Sequence, residues 1–371
     1  MPHADLAGLV REGARTMTVC NSCRYCEQYC AVFPAMTRRA TFTRADLDYL
    51  ANLCHNCGEC LYACQYAPPH EFGIDVPRRM ATLRAASYET YCWPGALGGA
   101  FRRHGVWTAL ALAAVLSAVL AVATWILNPD GLRWAPRDGE FYAVIPHAAM
   151  VTLFGAVSLF VLVAIAIGVQ RFWRETHMGP LPRAVDVWRG LRDAFTLRYL
   201  HGSGRDCTIA EEQRVPWRRW FHHCTFYGFL LCFASTSVAA MYHSLLGLQA
   251  PYAYTSAPVV LGTIGGIGLL VGPAGLLWDR RRRDPMLAHP DQQGLDESFI
   301  VLLWLTSFTG ILLLVLRNSA PMAPLLVVHL GVVLALFITL PYGKFMHGFY
   351  RMAALVKAAV EGRPATLVKS E

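Results

Sequence analysis

Charged side chains are what this sequence has least of. Asp, Glu, Lys and Arg make up 16% of its 371 residues, against about 25% in an average soluble domain. Hydrophobic residues make up 55%, so the shortage points to a chain that lives largely in lipid. Acidic residues are the scarcer sign, 25 against 33 basic, for a formal net charge of +8. That excess does not mark a nucleic-acid binder. The basic residues gather in loops between long apolar segments, and no basic face is interleaved with aromatics. The N-terminus, Met1 to Asp5, lacks the charged stretch and apolar run of a secretory signal. The cysteine-rich part is therefore expected to stay in the cytoplasm, where thiols remain reduced. Three further absences narrow the chemistry. No alternating pattern reads as a strand, no Gly-rich nucleotide fingerprint follows one, and no acid–base or nucleophile constellation stands out. Neither a bound flavin or NAD nor substrate chemistry is expected on this chain.

Cysteine, by contrast, is abundant at twelve residues. Eight of them form two sets, Cys20, Cys23, Cys26, Cys30 and Cys54, Cys57, Cys60, Cys64, each member recurring 34 places on. Pro34 and Pro68 keep the same offset. This spacing is that of bacterial ferredoxins, in which three close cysteines wrap one cluster and the fourth ligates the other. It assigns Cys20, Cys23, Cys26 and Cys64 to one [4Fe–4S] cluster, and Cys54, Cys57, Cys60 and Cys30 to a second. Two structural zinc sites are the rival reading, but zinc motifs pair two ligands with two distant ones. Cys30 and Cys64 are followed by Ala31 and Gln65 rather than proline. That favours a helical module, like that of fumarate-reductase iron–sulfur subunits, over a β-rich ferredoxin. Cys92, Cys207, Cys224 and Cys232 lie outside the pattern and read as small apolar fillers.

The expected architecture is mainly α. Residues 1–104 form a cytoplasmic two-cluster domain, 105–349 a six-span membrane domain, and 350–371 a cytoplasmic tail. Thr43 to Asp46 resembles a capping box opening a helix with Leu47, Leu50 and Leu53 on one face. Residues 78–90 predict a further amphipathic helix. Six segments, 105–127, 144–169, 223–246, 257–278, 298–316 and 322–341, have the roughly 20 apolar residues that a bilayer needs. The fourth is rich in glycine, which allows close helix packing. Lys and Arg number ten in the 170–222 connection and four in a row at Arg280 to Arg283, but two, none and one in the loops at 128–143, 247–256 and 317–321. Both termini are therefore expected on the cytoplasmic side of a bacterial inner membrane. Val185 to Phe195 predicts an amphipathic helix, lying in the interface or packed on the N-terminal domain.

Ionisable groups at membrane depth are functional candidates by default. His222, His223 and His243 bracket the third span, and His147 opens the outer end of the second. The sixth contains His329, with His347 just past its end. His329 and His347 are 18 residues apart; on one helix that is five whole turns, about 27 Å along a single face. Spans three and six run in opposite directions. His222 or His223 thus meets His347 near the cytoplasm, and His243 shares the outer half with His329, with His147 as a spare ligand. The arrangement predicts one or two bis-histidine b-type haems. The plainer alternative is interfacial histidines bonded to carbonyls or water. His177, His201 and His289, in polar loops, are given no ligand role. Lys344 is a candidate quinone contact.

Span six, from His329-Leu330-Gly331 to Pro341-Tyr342-Gly343-Lys344-Phe345-Met346-His347, resembles the last helix of the nitrate-reductase γ and heterodisulfide-reductase membrane subunits. Those bind b haems through histidines at this spacing. Their partner helix usually carries two histidines about ten residues apart, whereas here Cys232 and Phe233 stand ten beyond His222 and His223. A double cysteine module fused to six spans, with Arg219-Trp220-Phe221-His222-His223 at the third, resembles the tricarballylate/citrate-utilisation B protein family over essentially the whole chain. The resemblance implies reoxidation of a cytoplasmic FAD-dependent partner, tricarballylate dehydrogenase, and electron delivery to membrane quinone. Two other readings are a terminal reductase of a disulfide or sulfur compound, and a membrane redox sensor. The regular set of eight cysteines argues against the first, and the absence of an output domain against the second.

Overall fold

The computed structural model describes residues 6–132, 139–201, 207–208, 214–215, 217–282, 284–287 and 290–363. Arg283, His289 and the side chain of His201 lie outside them, as does the end of the expected tail. Five helices build the N-terminal domain: α1 Leu6–Cys23, α2 Val32–Met36, α3 Arg44–Leu53, α4 Glu59–Tyr62 and α5 Val76–Tyr91. Helix α3 is its keel. The Thr43 hydroxyl accepts from the Asp46 N–H at 3.2 Å, and the Asp46 carboxylate accepts from the Thr43 N–H at 3.1 Å. This reciprocal pair satisfies two N–H groups that a helix start leaves unpaired. Leu47, Leu50 and Leu53 are fully buried. Helix α1 comes close enough that a Cβ on Gly13 would sit 2.9 Å from Leu83 of α5.

The membrane helices are α6 Gly95–Leu127, α7 His147–Thr176, α9 Trp217–Leu246, α10 Ala257–Arg282, α11 Pro290–Val315 and α12 Met322–Thr339, with α8 Ala184–Phe195 between the second and third and α13 Met346–Glu361 after the last. Six are long and apolar enough to cross a bilayer, which makes this a multi-pass membrane protein. Helix α6 starts ten residues before the expected span and runs through residue 104 without a break. The glycines of α10 bring it against α9. A Cβ on Gly265 would meet the Gly228 carbonyl and the Cys232 nitrogen, each at 2.8 Å, an approach that only small residues permit. Helix α12 is the enclosed centre, with Leu326, Val327, Val332, Ala335 and Leu336 buried. Helix α9 buries only Gly228 and leaves Trp220, Tyr227, Phe233, Met241 and Leu245 exposed, as a lipid-facing helix does.

Span six is not one straight helix. Proline has no N–H to donate and ends a helix, and the turn Leu340–Tyr342 at Pro341 separates α12 from α13. His329 and His347 therefore sit on different helices, and the five-turn relation expected between them does not apply. Helix α13, expected as the start of a tail, packs back under the N-terminal domain. Its Glu361 pairs with Arg39 at 2.7 Å and accepts from the Tyr49 hydroxyl at 3.1 Å, while Lys357 lies over the Tyr49 ring and donates to the Thr176 carbonyl. Helix α8 lies on α13, where Gly190 leaves room for the Val356 backbone. Its Trp188 stays 66% exposed and Val185 48%, an apolar face free to enter the interface.

Candidate metal centres

The cysteine repeat shows in the backbone. Arg24 and Gly58 occupy equivalent places in the two sets, and both adopt the left-handed conformation, with φ of 55° and 92°. That turn carries the chain from the second cysteine of each set to the third. The eight thiols gather around two cavities. One, of about 270 Å³, is lined by Cys20, Cys23, Cys26, Cys64 and Cys60, which also lines the second. The other, a tighter one of about 20 Å³, is lined by Cys30, Cys54, Cys57 and Cys60. Each cavity thus takes three cysteines from one set and the last from the other. Among the described residues no three His, Cys, Asp or Glu side chains converge as a single metal ion requires. The donor set suits a cubane, whose corners hold four thiolates apart, better than a closed zinc site.

Burial, reinforced by the neighbouring thiol of Cys64, pushes Cys20 and Cys26 up to about 12. Burial also holds Cys30 and Cys60 well above the usual thiol value. Thiolates packed this closely need positive charge among them, which iron supplies. The Asn56 N–H points at the Cys54 sulfur, 3.4 Å away.

The second set stands directly on the membrane helices. Helix α3 ends at Leu53, and the carbonyls around its end need donors. Arg351 of α13 donates to the Asn52 carbonyl at 3.2 Å and the Cys54 carbonyl at 2.7 Å. Arg84 of α5 donates to Ala51 and Cys54. Arg218 of α9 donates to the His55 carbonyl at 3.1 Å and the Asn56 carbonyl at 2.9 Å. His55 itself is buried, with Nδ1 at 2.9 Å from the Leu53 carbonyl; burial, with Arg351 nearby, holds it neutral.

The histidines fall into three groups. His222 and His347 face each other with ring centroids 6.0 Å apart and planes at 78°. An imidazole nitrogen bonds a metal at roughly 2 Å, so two rings on opposite sides of one iron hold their centroids about 6 Å apart. His347 Nδ1 contacts the Lys344 carbonyl at 2.5 Å, which leaves Nε2 as the free ligand atom. His222 Nδ1 is buried and has no hydrogen-bond partner among the described residues. This pair fits a haem iron. On the other side of the membrane, His243 meets His147 rather than His329. Their centroids are 3.8 Å apart with planes at 31°, and the Tyr142 ring stands edge-on to both. As placed, these rings stack and leave no room for iron between them. His329 turns elsewhere, its Nδ1 2.9 Å from the Thr309 hydroxyl. His223 packs beside Tyr227. Lys344 is ion-paired with Asp296 at 2.8 Å, and Asp296 with Arg280 at 3.3 Å. Arg280 and Glu297 line a cavity of about 370 Å³ with Val106, Leu277 and Val301.

Sequence reasoning passed over Arg84, Arg218, Arg351 and Asp296. The arginines did leave a trace: Arg218 stands four residues before His222, and Arg351 four after His347, one helical turn in each case.

Comparison with known proteins agrees with this architecture. The family described as Citrate utilization protein B matches residues 102–366, and the Citrate utilization protein B Fer4-like domain matches residues 13–90. The Citrate utilization protein B of Escherichia coli is 51% identical over 354 residues, covering 95% of this chain and 92% of that protein. No solved structure matches the chain. With a Fer4-like domain ahead of six apolar helices, the chain belongs to the citrate utilization protein B family.

Proposed function

We propose that this chain is a membrane electron-transfer subunit. It accepts reducing equivalents from a cytoplasmic FAD-dependent dehydrogenase, similar to tricarballylate dehydrogenase, and delivers them to quinone in a bacterial inner membrane, with both termini cytoplasmic. The observation that carries this reading is the placement of His222 and His347, 6.0 Å apart, on helices that also hold the Cys54–Asn56 backbone. Cys20, Cys23, Cys26 and Cys64 hold one [4Fe–4S] cluster, Cys54, Cys57, Cys60 and Cys30 the other, and His222 and His347 a b-type haem. Bound there, these groups take up and release single electrons. The stacked outer pair favours one haem over two.

Quinone reduction consumes two electrons and two protons. Lys344 lies three residues before His347, and its carbonyl orients that ring. Its ammonium begins an ion-paired series through Asp296 and Arg280 to Glu297. That series ends at the cavity beside Val106, Leu277 and Val301, which offers apolar walls for a quinone ring and polar groups for its oxygens. The series fixes the charge beside that cavity, since a guanidinium does not release its proton.

The test is to purify the protein, record its absorption and EPR spectra, and add quinone after reduction by the flavoprotein. A b-type band, about eight non-haem irons and reoxidation by quinone are expected. Absence of the band removes the membrane half of the proposal. Fewer irons remove the cluster half.

A further inference from the structure

The two helices that carry the facing histidines share a second feature. On α9 the order is Arg218 then His222; on α13 it is His347 then Arg351. Both spacings are four residues, so each arginine lies one turn from its histidine on the same helix face. The histidines point into the membrane domain and toward each other. One turn along, the arginines reach one short piece of backbone of the N-terminal domain. Arg351 takes the carbonyls of Asn52 and Cys54, and Arg218 those of His55 and Asn56. Together they grip the segment between the first two cysteines of the second set from two different helices.

Helix polarity makes this grip firm. The carbonyls at the end of α3 are its unpaired, partially negative end, and cations are favoured there. A guanidinium presents several donors in a fixed plane, so each arginine satisfies two carbonyls at once. Arg84 covers Ala51 and Cys54 from a third side, but it belongs to the N-terminal domain and cannot tie that domain to the membrane. Asn56 also donates to the Leu287 carbonyl between α10 and α11 at 3.0 Å, but the ties to the two histidine helices are Arg218 and Arg351.

We propose that Arg218 and Arg351 are positioning residues that hold the Cys54–Cys57 loop in register with His222 and His347, and that their charges raise the reduction potential of the cluster held there. This rests on the electron-transfer reading above. Two consequences follow from the same geometry. Loss of either fork frees the loop from one histidine helix and slows electron passage between the two centres. Loss of either charge leaves the anionic thiolate set less compensated, which shifts its potential downward.

The experiment uses the full-length protein with its metals. R218Q and R351Q are compared with R189Q, the same charge change at an exposed site on α8. Iron content, the b-type band, the EPR-monitored potential of each cluster and the rate of haem reduction after dithionite mixing are measured. R218Q and R351Q are expected to retain iron and haem. The potential of one cluster falls, and haem reduction slows severalfold. R351K keeps the charge and loses the fork, so it restores the potential but not the rate; it also serves if R351Q does not assemble. An unchanged potential and rate in both glutamine variants, or the same change in R189Q, overturns the proposal. Wild-type protein with clusters but no haem band removes the underlying reading instead, and the cluster potentials of the variants then still decide whether the arginines act on the second set.

Discussion

The molecule presents two histidine pairs, one at each face of the membrane domain, and they differ in what surrounds them. The pair on the side of the N-terminal domain, His222 and His347, holds its rings 6.0 Å apart and nearly perpendicular. A backbone carbonyl orients His347, and the arginines one turn away reach into the folded domain above. The outer pair, His147 and His243, stacks at 3.8 Å against Tyr142. Histidine type and membrane depth are shared; orientation by neighbouring groups is not. A metal-binding histidine depends on the group that bonds its other nitrogen, and only one pair shows such a group among the described contacts.

The comparison breaks most directly at the rings themselves. His222→Ala and His347→Ala are each expected to abolish the b-type absorption band while leaving the non-haem iron in place. His147→Ala and His243→Ala are expected to keep the band at wild-type intensity per protein. Absorption spectra of the four purified variants, with iron assays, check this. Loss of the band in the outer variants as well would put a second iron, or the only one, at the outer face.

Much of the N-terminal domain was legible beforehand because its cues are local. The Thr43–Asp46 box, the leucines three apart in α3 and the cysteine repeat each specify structure within a few residues, whereas α5, expected to be amphipathic, is buried on most sides. The six spans needed only length and apolarity. The histidine partners were harder. Placing His329 with His243 rested on their shared depth, which does not say which way each ring turns. Thr309, the actual partner of His329, comes from the neighbouring helix 20 residues earlier, and nothing in its local sequence marks it. Arg218 and Arg351 carried a readable four-residue offset, but their targets on the Cys54–Asn56 backbone lie more than 160 and nearly 300 residues away in the chain. Local pattern reports which face a residue is on, not what packs against that face.

A smaller effect separates the two faces by pH. Among the described residues His222 and His347 are the pair beside the N-terminal domain, and that domain contains a buried carboxyl at Asp48. Burial raises Asp48 to about 7, although the Tyr91 hydroxyl, donating at 2.9 Å, and Arg44, 3.7 Å away, pull it down. The folded state therefore holds this proton more tightly than the unfolded chain, where the carboxyl titrates near 3.8. The contribution to stability is present in full below about pH 4 and is lost as pH rises to about 7, at roughly 1.4 kcal/mol per unit and a few kcal/mol at most. The thermal midpoint of the N-terminal domain should fall between pH 5 and pH 8, and Asp48→Asn should flatten that slope. An identical slope in the variant would remove Asp48 as its cause.

The smallest effect tests whether His329 belongs to either metal site. Its Nδ1 bonds the Thr309 hydroxyl, and a Cβ on Gly310 would lie 3.1 Å from its ring, so α11 holds this ring closely. Valine at 309 keeps the shape of threonine and removes the hydroxyl, at a cost of about 1 kcal/mol for one hydrogen bond. If the ring is structural, Thr309→Val lowers the thermal midpoint slightly and leaves the b-type band and its potential where they were. If His329 ligates iron through its other nitrogen, the same change removes the group that sets its basicity, and the potential must move. A redox titration of the band in this one variant distinguishes them, and a shifted potential would return His329 to the set of ligands.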